Sequence, residues 1–393
     1  MSTDLLRTLL SSLEAEIPQA VLLRERLHAS PEPSHGEHET ARLVTEGLGI
    51  PDVSRVAGTG LVARAGPEDL PTVAVRAELD ALPVREETGA PFAATNGLMH
   101  ACGHDIHMAA LAALLRAARR VGGSLPKPLL ALYQPSEEAH PLGADLVVRE
   151  GTLDGAAAVV AAHVHPEVPW GAVSVEPGPV NASLDFLRIV VEGAGGHGAY
   201  PHRVNDPIFA LSSVIVALQS LVSRRLDPMH PGVLSIGWTR AGTTENVIPS
   251  RAEAGGTLRV LEPADRVPLQ AAAREVVENV ARAHGCSGKV EVTEGEPATV
   301  NDPDLAERSR TLLGEAGFDL APAMRSCGSD DFGFYGRFAP ELMVFVGIRD
   351  APGTEPVPLH HPRFLPPEGA VEAVARAQAV AFAAAAEPLD PVA

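Results

Sequence analysis

The sequence predicts an α/β fold interrupted by a separate α+β unit. Three observations carry that expectation. Short apolar runs of strand length, Thr72 to Arg76, Pro128 to Tyr133 and Ala157 to Ala162, occur early, with a helical stretch, Ile106 to Val121, between two of them. Such runs suit strands covered on both faces. Between residues 181 and 294 strand and helix periods then follow each other as β-α-β-β-α-β, the order of the split ferredoxin-like unit. Finally, chemically suggestive residues fall at 102, 104, 137, 138 and 163 before that stretch and at 360 after it. If they meet in space, residues 1–180 and 295–393 form one discontinuous α/β/α catalytic domain, and 181–294 is an insertion into it. At 393 residues the chain is long enough for two cores.

The inserted unit has the clearest signals. Leu184 to Glu192 alternates as a half-buried strand does. Asp206-Pro207 supplies a cap followed by proline at the first helical position, and opens an apolar-striped helix to about Arg225. Val233 to Thr239 and Ala252 to Val260 read as strands. Pro263 to His284 reads as a helix that Gly285 ends in the left-handed conformation, and Lys289 to Thr293 is a last short strand. Outside it, Pro352 to Pro358 reads as a loop and Ala383 to Ala386 as an alanine-rich helix end. There is no internal repeat.

Composition excludes several classes. Apolar residues make up 45% and charged residues 21%, which is globular rather than disordered or fibrous. A formal net charge of −19 repels phosphate backbones and anionic bilayers, so neither nucleic acid nor membrane is an expected partner. The first residues carry Asp4, Glu14 and Glu16 among apolar ones and do not read as a signal peptide. No unbroken stretch of 18 apolar residues stands out as a span. Cys102, Cys286 and Cys327 are widely spaced, which suits a reducing compartment, and the cytoplasm is the expected location.

The densest chemistry lies in His100-Ala101-Cys102-Gly103-His104-Asp105-Ile106-His107, ahead of a helix. A lone Cys or His is more often a core residue. A thiol, three imidazoles and a carboxylate within eight positions instead suggest ligands for a zinc-like cation, with Asp105 placed to orient His104. Gln134-Pro135-Ser136-Glu137-Glu138 follows an apolar run directly, and the carboxyl ends of sheet strands are where α/β sites form. Adjacent carboxylates point different ways, so one can hold a metal while the other holds a proton. His163 ends another apolar run, His360-His361-Pro362 lies near the C-terminus, and Gly195 to His202 is a glycine-rich turn carrying His197 and His202.

Together these stretches resemble the M20 family of metallopeptidases and amidohydrolases, in its branch of N-acyl amino acid, hippurate and auxin-conjugate amidohydrolases. The likeness runs from Leu27-His28-Ala29-Ser30-Pro31-Glu32 to Leu359-His360-His361-Pro362. It includes Glu78-Leu79-Asp80-Ala81-Leu82-Pro83, Asn246-Val247-Ile248-Pro249 and Gly328-Ser329-Asp330-Asp331-Phe332. The resemblance implies two divalent metal ions, zinc first and otherwise manganese, cobalt or nickel, held by Cys102, His104, Glu138, His163 and His360. It implies Glu137 as general base, Asp80 within the catalytic set, and Asn246 and Arg259 as substrate contacts. It further implies a small N-acylated amino acid or related amide as substrate, with His197 reaching a partner subunit's site. Two departures, Glu78 and Asp330 where the branch usually has Asp and Glu, keep the charge and change its reach by a methylene.

A homodimer through the inserted unit is expected, with Ala252 to Val260 as an edge strand pairing with its two-fold mate and the helix from Pro207 to Arg225 beside it. Three alternatives stand beside an amidohydrolase. A dipeptidase or carboxypeptidase of the same family is the nearest. A thiol hydrolase with Cys102 as nucleophile leaves Glu137, Glu138, His163 and His360 without a role. A non-catalytic metal-binding protein on the same fold has no use for a proton carrier at Glu137.

Overall fold

The computed structural model describes residues 2–387. The chain forms two compact units, one of residues 1–178, 300–324 and 331–393, the other of residues 179–299 and 325–330.

The first unit is built on an eight-stranded sheet in the spatial order Val53–Val56, Gly60–Ala65, Leu129–Gln134, Val73–Glu78, Ala158–Pro169, Glu341–Arg349, Ala172–Ser174, Asp319–Leu320. Its centre is parallel: Val73–Glu78 pairs in parallel with both Leu129–Gln134 and Ala158–Pro169, and Ala158–Pro169 with Glu341–Arg349. All six residues of Val73–Glu78 and of Leu129–Gln134 are buried, as strands covered on both faces must be. The helices His104–Val121 and Gly369–Ala386 pack in the same core. Both are rich in alanine, which costs no side-chain entropy and lets backbones approach closely. The three early strands and the 106–121 helix read from the sequence all appear, with bounds shifted by one or two residues, except that the third strand runs on to Pro169.

The second unit is a four-stranded antiparallel sheet ordered Gly232–Ala241, Arg251–Val260, Ser183–Glu192, Ser287–Glu294. Helices Pro207–Ser220 and Pro263–Ala283 bury Ala210, Leu211, Val214, Leu218, Leu269, Ala273 and Val277 in its core. This is the expected β-α-β-β-α-β chain order. Asp206 caps the first helix, its Oδ1 accepting from the N–H groups of Ile208 at 2.9 Å and Phe209 at 3.3 Å. Gly285 follows the end of the second helix with φ of 71°. Inside the unit, buried Asp185 accepts from Arg266 Nη2 at 2.7 Å and Gln270 Nε2 at 2.9 Å, a pair whose one-sided removal costs about 3–5 kcal/mol.

Two expectations are corrected here. Arg251–Val260 lies between Gly232–Ala241 and Ser183–Glu192 and has no free edge, because both its sides are taken by antiparallel partners. The edges belong to Gly232–Ala241 and Ser287–Glu294. The helical stretch Pro207–Arg225, 19 residues with a π-turn at its end, is long and apolar enough to cross a bilayer by length and composition alone. Scattered serines and a glutamine had hidden that. Ile208, Phe209 and Val216 on this helix are exposed.

Candidate metal centre

Cys102 and His104 flank Gly103, which starts the helix His104–Val121 with φ of 87°. A Cβ at Gly103 would lie 2.5 Å from Val164 Cγ2, so both conformation and space demand glycine. The two ligand candidates are thereby turned toward the strand that carries His163. His104 donates Nδ1–H to the carbonyl of Asp80 at 2.9 Å, and His163 Nδ1 lies 2.7 Å from the carbonyl of Val164. These contacts assign the proton of each ring to Nδ1 and leave the Nε2 lone pairs for a cation. His163 Nε2 lies 3.6 Å from Cys102 Sγ.

Glu138 follows the strand Leu129–Gln134. Its N–H donates to Asp80 Oδ2 at 2.9 Å, and its Oε1 lies 3.4 Å from His360 Nε2. His360 is a half-exposed residue in the left-handed region, φ 65°, fixed by its N–H to the carbonyl of Ala101 at 2.8 Å. Ser34 Oγ donates to the same Asp80 oxygen as Glu138, at 2.6 Å.

Three overlapping sets made up only of the expected ligands and base bring their ligand atoms within 4.8 Å of one another: Cys102, His104 and His163; Cys102, Glu138 and His360; and His104, Glu137 and Glu138. The donors fit divalent cations. The first two sets share Cys102, and one thiolate with imidazoles and a carboxylate suits zinc or its neighbours. Among the described residues Asp80 Oδ1 is a buried acceptor with no hydrogen-bond donor and Glu138 Oε1 has only the long contact to His360, a costly arrangement that a cation relieves. Protonation agrees. Burial works against the Glu138 carboxylate, yet the hydrogen bond to His360 and the charge of His104 hold its pKa below the usual value. Burial, with His107 beside it, keeps His163 neutral. Burial also opposes charge on His104, but the carboxylates of Glu78, Asp80 and Glu138 outweigh it and raise its pKa.

One expected role fails. Asp105 does not orient His104: its Oδ2 accepts from Arg24 Nε at 3.0 Å and lies 3.0 Å from His28 Nδ1. Successive helix residues diverge by about 100°, so the sequence neighbour faces elsewhere. The orienting group is a backbone carbonyl, which no side-chain pattern announces. His107, third imidazole of the cluster, has both nitrogens engaged, Nδ1 at 2.8 Å from Glu78 Oε2 and Nε2 accepting from the Val164 N–H at 3.1 Å.

Sequence reasoning missed Arg76 and the network it ties together behind the centre. Arg76, fully buried, bonds to Glu78, to Gln134 Oε1 at 2.8 Å and to Asp331 Oδ1 at 2.8 Å. Gln134 Nε2 also reaches Asp331 Oδ2 at 2.8 Å. A charged pair two residues apart in an otherwise apolar strand, Arg76 and Glu78, was the available signal.

Within the second unit, His197 lies on a two-residue strand paired with Val247–Ile248, and Gly198 N–H donates to the carbonyl of Asn246 at 2.8 Å. One ribbon therefore carries both His197 and Asn246. His197 Nδ1 accepts from the Ala199 N–H at 3.0 Å, so the exposed ring presents Nε2–H as a donor. Arg259 Nη1 donates to the carbonyl of Cys327 at 3.1 Å and lies 3.4 Å from Ser329 Oγ.

Known proteins are similar to this chain in sequence and in fold. Residues 74–384 match the profile of Peptidase family M20/M25/M40. The chain is 36% identical over 349 residues to the N-acetylcysteine deacetylase of Bacillus subtilis, covering 87% of this chain and 90% of that one. It is 31% identical over 387 residues to thermostable carboxypeptidase 2 of Saccharolobus solfataricus, covering 96% and 98%. The solved Bacillus subtilis YXEP protein, described as a dinuclear metal-binding peptidase from the M20 family, superposes with a TM-score of 0.82 at 32% identity, covering 94% of this chain and 98% of that one. The chain therefore belongs to peptidase family M20/M25/M40 and is an amide-bond hydrolase.

Proposed function

We propose that the protein hydrolyses the amide bond of small N-acylated amino acids, with two divalent cations, zinc first, held by Cys102, His104, Glu138, His163 and His360. The observation that carries this reading is the Glu137 carboxylate within 4.8 Å of donor atoms of both His104 and Glu138. Such a group is close enough to the donor set to handle protons there without being needed as a ligand. When bound, the cations polarise the scissile carbonyl and make water a stronger acid.

The rest is done by the chain. Glu137 accepts the proton of the attacking water and passes it to the leaving nitrogen, so no free hydroxide or amide anion is released. Asp80 holds His104 through its carbonyl and the Glu138 backbone through Oδ2. His197, with Nε2–H as its donor, stabilises the developing oxyanion of a second chain's substrate, a role worth about 2.7–4 kcal/mol. Asn246, beside it, and Arg259 contact the substrate's polar end. The dimer this requires forms through the second unit, whose helix exposes Ile208, Phe209 and Val216 and whose strand Gly232–Ala241 has a free edge. The three free cysteines fit a reducing compartment such as the cytoplasm.

The acyl-amino acid reading is supported by the deacetylase relative, and the carboxypeptidase relative supplies its competitor. A panel of N-acetyl, N-benzoyl and longer N-acyl amino acids, run beside dipeptides and C-terminally blocked peptides on metal-loaded enzyme, decides. Higher kcat/KM on the acylated amino acids is expected; the reverse order makes it a peptidase. Glu137→Gln should keep its metal and lose at least about a hundredfold in kcat, and near-normal turnover would remove Glu137 from the base role.

A further inference from the structure

Ser136, immediately before Glu137, has φ of 51°, a left-handed conformation uncommon for a residue with a side chain. The group that holds it there is Glu37, a wholly buried residue that precedes the helix His38–Leu48. Glu37 Oε1 accepts from the Ser136 N–H at 2.8 Å and lies 3.3 Å from its hydroxyl, while Oε2 accepts from Thr59 Oγ1 at 2.7 Å. On the other side the His35 N–H donates to Ser136 Oγ at 2.8 Å. The carbonyl of Ser136 accepts from the Gly143 N–H at 2.8 Å. A Cβ at Gly143 would sit 1.6 Å from the carbonyl oxygen of Pro135, so this loop is closed against itself.

Glu138 is clamped as well, by its N–H on Asp80 Oδ2. Glu137 thus stands between two residues whose backbones are fixed by different buried carboxyl groups. If Ser136 relaxed to the right-handed region, the chain direction entering Glu137 would change and its carboxyl would leave the position beside His104. Glu138 would be held back by Asp80, so the ligand would stay while the proton carrier moved.

We propose that Glu37 is a positioning residue for Glu137, acting through the backbone conformation of Ser136. It touches neither ligand nor reacting atom. This rests on Glu137 as the base, and it adds which residue makes that base available. The dependence is directional: loss of Glu37 impairs proton transfer while substrate affinity and metal content are kept.

The test is a rescue. In the metal-loaded enzyme Glu37→Ala should lower kcat by about ten- to a hundredfold, with KM and metal stoichiometry close to the parent. Glu37→Gln should lose much less, because its carboxamide oxygen still accepts from the Ser136 N–H. Ser136→Gly added to Glu37→Ala should then restore about tenfold in kcat, since glycine enters the left-handed region without strain. A purely structural role for Glu37 predicts no such recovery. Parent-like kcat in Glu37→Ala, no recovery with glycine, or activity loss that tracks metal loss would each overturn the proposal. Should Glu37→Ala not fold, Thr59→Val removes only the hydroxyl that holds the far oxygen of Glu37; a smaller fall in kcat reversed by Ser136→Gly is expected, and an unchanged kcat overturns the idea. A dead Glu137→Gln enzyme combined with failed glycine rescue rejects Glu37 alone, whereas an active Glu137→Gln enzyme rejects the base itself.

Discussion

Raising the pH from 6.5 to 9.5 should destabilise the first unit through one residue, His28. Its ring is buried, with Nδ1 3.0 Å from Asp105 Oδ2 and Nε2 3.1 Å from Glu86 Oε1, and Phe92 packs edge-on at 5.3 Å. Burial works against a charged imidazole, but Asp105 and then Glu86 outweigh it and push the pKa from 6.5 up to about 9. A proton that binds more tightly in the folded chain stabilises folding. That contribution is complete below the unfolded value of 6.5 and disappears as pH passes the folded value near 9. At 1.36 kcal/mol for each tenfold, the contribution comes to about 3 kcal/mol. Glu86 also accepts from the Ala94 N–H at 2.6 Å, so deprotonation loosens the 86–94 loop from the helix Ile17–His28.

The assay compares metal-free parent with metal-free His28→Gln, because ligand protons titrate with metal binding in the same range. Both carry Trp238→Phe, which leaves Trp170 as the tryptophan reporter, in the first unit. Urea unfolding at half-unit pH steps then gives the free-energy difference between the two proteins. It should shrink by about 3 kcal/mol across the range. Parallel curves would refute the reasoning, since they would mean that His28 is neutral throughout or that its proton is equally bound in the unfolded chain.

Two further outcomes follow from the donor set and from the second unit. Cys102→Ala and His104→Ala should each lower metal content and activity together, and elemental analysis showing full stoichiometry in both would remove them as ligands. Mixing inactive His197→Ala with inactive Glu137→Gln after subunit exchange should restore one working site per heterodimer; no recovery after proven exchange, or an active monomer, would end the role of His197 in a partner's site.

Local signals were legible because local physics sets them. Asp206-Pro207 and Gly285 mark helix ends by capping and by left-handed tolerance, and both act there as read. Alternation in Ser183–Glu192 follows from one face lying on the core. The position of Arg251–Val260 in its sheet was not legible. Pairing order is a non-local outcome, and its Gly255-Gly256 pair makes sense only once the neighbouring strand is known: a Cβ at Gly255 would lie 2.2 Å from the Trp238 indole nitrogen, and one at Gly256 would lie 2.2 Å from the carbonyl of Ser235. The expected edge strand is instead a central strand shaped to receive its neighbour's bulk.

The candidate site divides the same way. Thiol, imidazole and carboxylate groups mark candidate ligands by type, and the family resemblance narrows them to the proposed set of Cys102, His104, Glu138, His163 and His360. The conformations that aim them could not. Gly103, Ser136 and His360 all have positive φ, at 87°, 51° and 65°, and only the glycine declares it. The other two need external restraint, because a side chain in the left-handed region relaxes unless its surroundings forbid it. For Ser136 the restraint comes from Glu37, 99 residues away. For His360 it is one backbone hydrogen bond to Ala101, the residue just before Cys102. A proposed ligand from the end of the chain is thereby registered to a proposed ligand from its first third by the main chain, whatever the side chains between them are, and no residue type encodes that bond.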